Sequence, residues 1–365
     1  MTQTTSHGPD QSFSDFDERY QLDGKRFGVG RVSLKSVPQI DLSPFVFGGD
    51  EAARAKIARD IREAAINIGF FYMRGHGFTQ KEFDDVLAWG RRFFALPRDE
   101  KEKIHWNKKP GKGYIPPGGA DANAAAAATA DLKERLYFGR EYAVSESEAA
   151  RYPSDSQWPD ENALPGFREF ITRYTRKSVA LAQKLGSAFA KSLDLPESYF
   201  ADTQGPFGGT LVYNFYPHLP QSELEKMRWN FSPHTDYGSF TILLQDDLGG
   251  LQVRNAAGEW VDVVPIPGTL VVNIGDMLAM VTNDLYTSNL HRVVNQSGRE
   301  RISLPMFVSP LPATELRCLE TCQGPGNPQR YEPVNAGEYL RMLMDQYHRT
   351  GKPGIAPKTA ARLSA

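Results

Sequence analysis

Chemistry is first on offer at Ser232-Pro233-His234-Thr235-Asp236. In an extended strand residues i and i+2 point to the same side. His234 and Asp236 then present an imidazole and a carboxylate to one point. Of the seven histidines, His291 is the best third ligand, because it opens an apolar strand-like run, His291-Arg292-Val293-Val294. Two histidines and one carboxylate on one face of an octahedron leave three positions open, as a non-haem Fe(II) centre requires. Those openings matter where an organic acid and O2 must both reach the metal. A closed four-ligand zinc site has none. Taken alone, a His-x-Asp triplet is also a common surface turn, and a single histidine ahead of a strand is more often structural.

Arg301-Ile302-Ser303 begins ten residues after His291, at the head of a run carrying Leu304, Met306 and Phe307. Alternation puts Arg301 and Ser303 on one face. An arginine aimed into a barrel is costly unless it meets an anion. Its planar fork suits a carboxylate, and a serine hydroxyl adds a donor. An internal Arg–Asp or Arg–Glu pair is the plainer alternative. Tyr213-Asn214-Phe215-Tyr216-Pro217 offers two more polar groups on a shared face, Asn214 and Tyr216. The Tyr216 phenol could donate to the same carboxylate; the plainer reading is a core aromatic.

These groups need strands to aim them and helices to brace the strands. From Gly205 to about Pro312, β-rich runs alternate with turn residues: Thr210–Tyr216, Phe240–Gln245, Gly250–Val253, Thr269–Ile274, Arg292–Asn295 and Arg301–Val308. That spacing predicts a sandwich or a jelly-roll barrel. Ahead of it, Asp50 caps a helix to about Ile68, with Ile57, Ile61, Ala64, Ala65 and Ile68 on one stripe. Thr79 and Glu82 form a capping box for a second helix that stops before Pro97. A third helix fits Phe167 to Leu193, and a last one Ala336 to His348. Short strand-like segments fall at Val37–Leu42 and Phe70–Met73. The predicted organisation is a flexible arm over 1–30, an N-terminal α/β region over 31–204 and a jelly-roll core over 205–312. A C-terminal segment with a helix over 313–350 and a flexible tail over 351–365 follow. Residues 107–130, alanine-rich at their end, read as a mobile segment and candidate lid. The fold class is mostly β with flanking helices.

Composition narrows the function classes. Of 365 residues 40% are hydrophobic, enough for a sizeable core, and Lys plus Arg (42) nearly balance Asp plus Glu (44). No block of like charge argues for nucleic acid or a membrane surface. Two cysteines, Cys318 and Cys322, give no disulfide framework and read as structural thiols of a reducing compartment. No apolar leader or membrane-length segment is visible, so the expectation is a soluble, cytoplasmic protein.

With these residues in place, the sequence resembles the isopenicillin N synthase-like Fe(II)/2-oxoglutarate oxygenases over roughly residues 37 to 312. Besides the segments above, the likeness rests on Ile68-Gly69-Phe70-Phe71-Tyr72 with His76-Gly77, on Asn214-Phe215-Tyr216-Pro217 and on His234-Thr235-Asp236-Tyr237-Gly238. It continues through Gly249-Gly250-Leu251-Gln252-Val253, Asn273-Ile274-Gly275-Asp276, Leu290-His291-Arg292-Val293 and Arg301-Ile302-Ser303. The resemblance implies a double-stranded β-helix in which His234, Asp236 and His291 bind Fe(II). It implies that Arg301, Ser303 and Tyr216 hold the distal carboxylate of 2-oxoglutarate, with Asn214 near its metal-bound end. It also implies oxidation by O2, by default hydroxylation, with release of succinate and CO2. His76 reads as structural. Tyr114, Phe231 and Phe307 are pocket candidates by position. Three rivals stay open: an Fe(II) oxidase of this fold that does not use 2-oxoglutarate, a zinc hydrolase, and a catalytically silent binding protein.

Overall fold

The computed structural model describes residues 25–26, 29–30, 34–106, 112–117, 133–141, 155–218, 231–294 and 298–350. Most of the predicted arm and candidate lid, and all of the predicted tail, lie outside the described residues. The elements that build the site follow in chain order. β1 (Gln39–Asp41), α1 (Glu51–Asn67), β2 (Phe70–Arg74), α2 (Gln80–Phe94) and α3 (Arg98–Glu102) come first. Next are β3 (Gly113–Ile115), β4 (Glu134–Tyr137), α4 (Phe167–Ser192) and β5 (Gly208–Tyr216). Then come β6 (Phe231–His234), β7 (Phe240–Gln245), β8 (Leu251–Arg254), β9 (Trp260–Asp262) and β10 (Leu270–Ile274). α5 (Asp276–Val281), β11 (His291–Val293), β12 (Arg301–Ser309) and α6 (Ala336–Thr350) complete the set.

The helix ends form for the reasons their sequences give. Asp50 accepts a hydrogen bond from Ala53 N at the head of α1, and Thr79 and Glu82 close a reciprocal capping box on α2. Gly69 ends the α1 segment with φ +70°, and a Cβ there would strike the Thr287 carbonyl oxygen at 2.0 Å. The 26 residues of α4 bury Ile171, Tyr174, Leu181, Leu185 and Phe189, with Phe170 half-buried at the margin.

Two sheets carry the site. The larger has eight strands in the order β1-β2-β10-β7-β12-β5-β4-β3, and the smaller has four, β9-β8-β11-β6. Alternation sorts the larger sheet's side chains. Leu211, Tyr213, Phe240, Ile242, Leu244, Ile302, Leu304, Met306 and Val308 join the helices in one core. Tyr216, Leu243 and Val271 face the other way, into a second core with Leu251, Val253 and Val293 of the smaller sheet. The barrel interior lies between the two sheets. The predicted sheet-rich fold with flanking helices is what the chain adopts. The larger sheet also takes β1 to β4 from before residue 205. Sequence patterning did not list β3, β4 or β9, and reached β6 only through Ser232–Asp236. These strands run to only three or four residues, too short for periodicity to register. Among the described residues no helix is long and apolar enough to cross a membrane.

One buried ion pair fixes the edge of the larger sheet. Glu134 of β4 accepts from Lys101 Nζ at 2.6 Å and from the Tyr114 hydroxyl at 2.6 Å. Lys101 also donates to the Phe94 carbonyl at 3.0 Å. Burial, with the Glu134 charge beside it, holds the Tyr114 hydroxyl well above the usual tyrosine range. Tyr114 therefore packs on the helix side and is not a wall of the barrel interior, as its position had suggested. Removing the carboxylate strands a buried ammonium. Glu134→Ala is expected to cost about 3 kcal/mol in urea unfolding, well beyond an exposed ion-pair deletion.

Candidate active site

His234 is the last residue of β6 and pairs directly with His291, the first of β11. Their ring centroids are 4.1 Å apart. Asp236 lies two residues past the end of β6, in the turn that leads to β7. The same-side placement of His234 and Asp236 therefore comes from that turn and not from a continuous strand. Asp236 Oδ1 stands 3.8 Å from His234 Nε2 and 3.6 Å from His291 Nε2. These separations are too long for good hydrogen bonds, yet all three ligand atoms lie within 4.8 Å of one another. Among the described residues no other group of histidine, cysteine and carboxylate donors converges in this way. Two imidazoles and one carboxylate suit an iron or zinc cation, with metal–ligand bonds near 2.1 Å.

The turn holding Asp236 is clamped from the next motif along. Asp276 N donates to Asp236 O at 2.8 Å, Gly275 N to Ser239 O at 2.9 Å and Met277 N to Gly238 O at 3.0 Å. The contact is so close that a Cβ on Gly275 would lie 2.2 Å from the Gly238 oxygen. The carboxylate itself is oriented by two donors to Oδ2: Thr241 Oγ1 at 2.5 Å and Asn273 Nδ2 at 2.8 Å. Burial pushes the Asp236 carboxyl up. The facing imidazoles of His291 and His234, with Asn273 and Thr241, outweigh it and hold the group below the usual carboxylate range. His291 Nδ1 donates to the Asn289 carbonyl at 3.2 Å, which turns Nε2 toward Asp236. Phe70 meets the same ring edge-on at 5.4 Å.

On the larger sheet, Arg301 pairs with Tyr216 and Ser303 with Asn214. Arg301 is 1% exposed. Its Nε donates to the Gly249 carbonyl at 2.7 Å and its Nη1 to Ser303 Oγ at 3.3 Å. The guanidinium carbon sits 5.0 Å from the Tyr216 ring centroid. The Gly249-Gly250 turn that supplies the carbonyl has φ of +76° and +87°, open to glycine alone at little cost. Asp246 fixes the strand start, its carboxylate accepting from Ile302 N at 2.6 Å. Among the described residues no carboxylate comes within ion-pair distance of Arg301, so the internal Arg–Asp or Arg–Glu pair does not form.

Phe307 pairs with Thr241, which puts it on the Asp236 side of the barrel interior. The Phe231 side chain lies outside the described residues. His76 bonds the Gly268 carbonyl at 3.1 Å and Phe78 N at 3.1 Å, a structural role. Cys318 and Cys322 are free and buried. Sequence reasoning missed Thr241 and Asn273 as supports of Asp236. The signal was present: Asn273 is the lone inward polar residue of its apolar strand and Thr241 one of two, with Gln245, on its own, and a buried polar group needs a partner.

Two predictions follow from the Asp236 neighbourhood. Asn273→Ala removes one of the two Oδ2 donors and should weaken Fe(II) binding about 10- to 100-fold in anaerobic titration, with the fold retained. Asp276 is half-buried; loss of hydration raises its carboxyl to about 7, and the charges of Asp236 and Asp284 add to that. A folded-state value above the unfolded one favours the protonated form. Its stability contribution is then complete below the unfolded value near 4 and is lost as pH rises through about 7. In the metal-free protein this adds a fall of up to about 1.4 kcal/mol per pH unit between pH 5 and 7. Asp276→Asn should remove that part of the slope in denaturant melts across the range.

Comparison with known proteins agrees with this geometry. Residues 207–310 match the 2OG-Fe(II) oxygenase superfamily, and residues 37–161 match the family described as non-haem dioxygenase in morphine synthesis, N-terminal. The 2-oxoglutarate-Fe(II) type oxidoreductase hxnY of Emericella nidulans is 36% identical over 312 residues, 83% of this chain and 88% of that protein. The solved structure of Neurospora crassa T7H with alpha-KG and thymine superposes with a TM-score of 0.77 at 27% identity, covering 85% of this chain and 96% of that one. JOX2 in complex with 2OG, Fe and JA superposes with a TM-score of 0.68 at 29% identity, covering 85% of each chain. The chain belongs to the 2OG-Fe(II) oxygenase superfamily and is an Fe(II)- and 2-oxoglutarate-dependent dioxygenase, with O2 as the further cosubstrate.

Proposed function

We propose that His234, Asp236 and His291 hold the iron. In this reading Arg301, Ser303 and Tyr216 hold the distal carboxylate of 2-oxoglutarate, and Asn214 lies beside the cosubstrate's metal-bound end. The observation that supports this most is the Arg301 guanidinium. It is buried, it has no carboxylate of its own among the described residues, and it shares the barrel interior with the convergent His-Asp-His donors. An organic diacid bridging the two answers both needs at once. The T7H and JOX2 complexes hold small organic ligands beside the cosubstrate, which supports a small-molecule substrate here.

The reaction is then R–H + 2-oxoglutarate + O2 → R–OH + succinate + CO2. When bound, iron and 2-oxoglutarate supply the activation of O2, with the cosubstrate's C1 carboxylate leaving as CO2. The chain's own groups set the geometry. Asp236, tied by Thr241 and Asn273, keeps one oxygen turned to the metal position. His291 is kept in one tautomer by the Asn289 carbonyl. Arg301, anchored through Nε to Gly249, keeps its Nη groups for the acid. Leu243, Val271 and Val253 make the surrounding wall apolar and exclude water from the reacting side.

The test needs no knowledge of the substrate. Fe(II) and 2-oxoglutarate added to metal-free protein under nitrogen should give the visible metal-to-ligand charge-transfer band. Asp236→Ala should abolish it. Arg301→Ala should require roughly 30- to 100-fold more 2-oxoglutarate. Iron binding without a band would indicate an oxidase that does not use 2-oxoglutarate. No iron binding at all would return the zinc enzyme or the silent binding protein.

A further inference from the structure

We infer that Gln245 sets the length of the 2-oxo acid that the barrel accepts, admitting the five-carbon diacid and rejecting its six-carbon homologue. This deepens the iron and 2-oxoglutarate reading above and rests on it. The placement follows from register. Ser303 of β12 lies between Asn214 of β5 and Gln245 of β7, one row across three strands. Ile242 and Leu244 of β7 belong to the core on the helix side. Alternation therefore sends Thr241, Leu243 and Gln245 into the barrel interior. Thr241 stands at the metal end, where it bonds Asp236. Gln245 stands four residues farther, roughly 13 Å along the strand, at the level of Ser303.

Gln245 closes that end of the interior by crossing from one sheet to the other. Its Nε2 donates to the Val263 carbonyl at 3.1 Å, one residue past the end of β9. Val263 is fully buried, and its own N bonds the Leu251 carbonyl of β8 at 2.8 Å, so the anchor is fixed. Arg301 makes a second crossing, through Nε to the Gly249 carbonyl at 2.7 Å. The Gly249 turn packs in its turn on Pro265, where a Cβ at 249 would lie 3.1 Å from the proline Cδ. The interior thus ends at Gln245 as well as at Arg301. The other atom of the Gln245 amide is an acceptor. Its Oε1 is enclosed, and no donor among the described residues reaches it. A distal carboxylate held at Arg301 and Ser303 meets donors. One pushed a methylene farther meets a fixed amide whose Nε2 is already engaged and whose Oε1 is a second acceptor. Two enclosed acceptors in contact disfavour that pose.

The probes are 2-oxoglutarate and 2-oxoadipate, diacids that differ by one methylene. Each is titrated under nitrogen into protein loaded with Fe(II). Midpoints are read from the charge-transfer band and, separately, from thermal shift. Unmodified protein should bind 2-oxoglutarate at least about tenfold more tightly, the discrimination that one methylene gives in an enclosed site. Gln245→Asn withdraws the amide by one methylene, and Gln245→Ala removes it. In both variants 2-oxoadipate should bind more tightly than it does to unmodified protein, and the ratio should drop below about threefold. Misfolding does not produce a gain in affinity. Equal midpoints in unmodified protein, or a preference for the longer acid, overturn the inference without any variant. So does a ratio that survives in a variant still giving the band, or one that falls only because 2-oxoglutarate weakens. Loss of both acids in both variants also overturns it, since Gln245 would then support the fold and gauge nothing. Absence of the band with 2-oxoglutarate in unmodified protein removes the underlying reading too, whereas equal bands with both acids leave that reading standing and remove only this inference.

Discussion

The pairing of β12 with β5 on one side and β7 on the other is the constraint on which the site depends. This central strand separates two cores. Its even-numbered residues from Ile302 to Val308 pack on the helices, and its odd-numbered residues open to the barrel interior. A shift of one residue would turn Arg301 into the helical core and Ile302 into the barrel. The slip is opposed from several directions. Asp246 holds the Ile302 amide, Gly249 holds the guanidinium, and the apolar residues between are themselves fully buried. The proposed cosubstrate anchor and the hydrophobic core are thus specified by the same register.

The candidate metal ligands depend on a second, more local device. A strand places His234 and His291 directly opposite each other, but Asp236 is delivered by a turn. That turn is held by three backbone hydrogen bonds to the segment entering α5. Only glycine at 275 permits the approach. The larger sheet then contributes Thr241 and Asn273 to orient the carboxylate. The three donors come from the smaller sheet and its exit turn, while their supports come from the larger one. The spacing between the sheets sets how tightly the carboxylate is aimed.

Much of this was legible in the sequence because it depends on short-range rules. The Asp50 and Thr79 caps, the stripe on α1 and the alternation around Arg301 and Ser303 are local, and their residue types state their geometry. The resemblance supplied what locality could not, the convergence of His234 and His291 from positions far apart in the chain. Other features were hidden for physical reasons. β3, β4 and β9 are too short to show a period. The side of Tyr114 was decided by a buried Glu134–Lys101 pair that no local pattern announces. Asp236 was aimed by a turn whose shape is set by tertiary contact with Gly275. The supports Thr241 and Asn273 were readable in principle, as polar residues facing inward from largely apolar strands.

The order of strands in the larger sheet also bears on how the chain is made. β2, Phe70-Phe71-Tyr72-Met73-Arg74, takes β10 as its antiparallel neighbour, Phe70 opposite Asn273. Roughly two hundred residues separate them, so at ordinary translation rates of 5–20 residues per second β2 emerges about 10–40 seconds before that partner exists. During that interval its only sheet neighbour is the three-residue β1. Three aromatic residues and a methionine then stand on an open β edge, a template for pairing with other nascent chains. The amphipathic helices α1 and α2, which form from local sequence and flank β2 on either side, are the cover available while the ribosome completes the barrel.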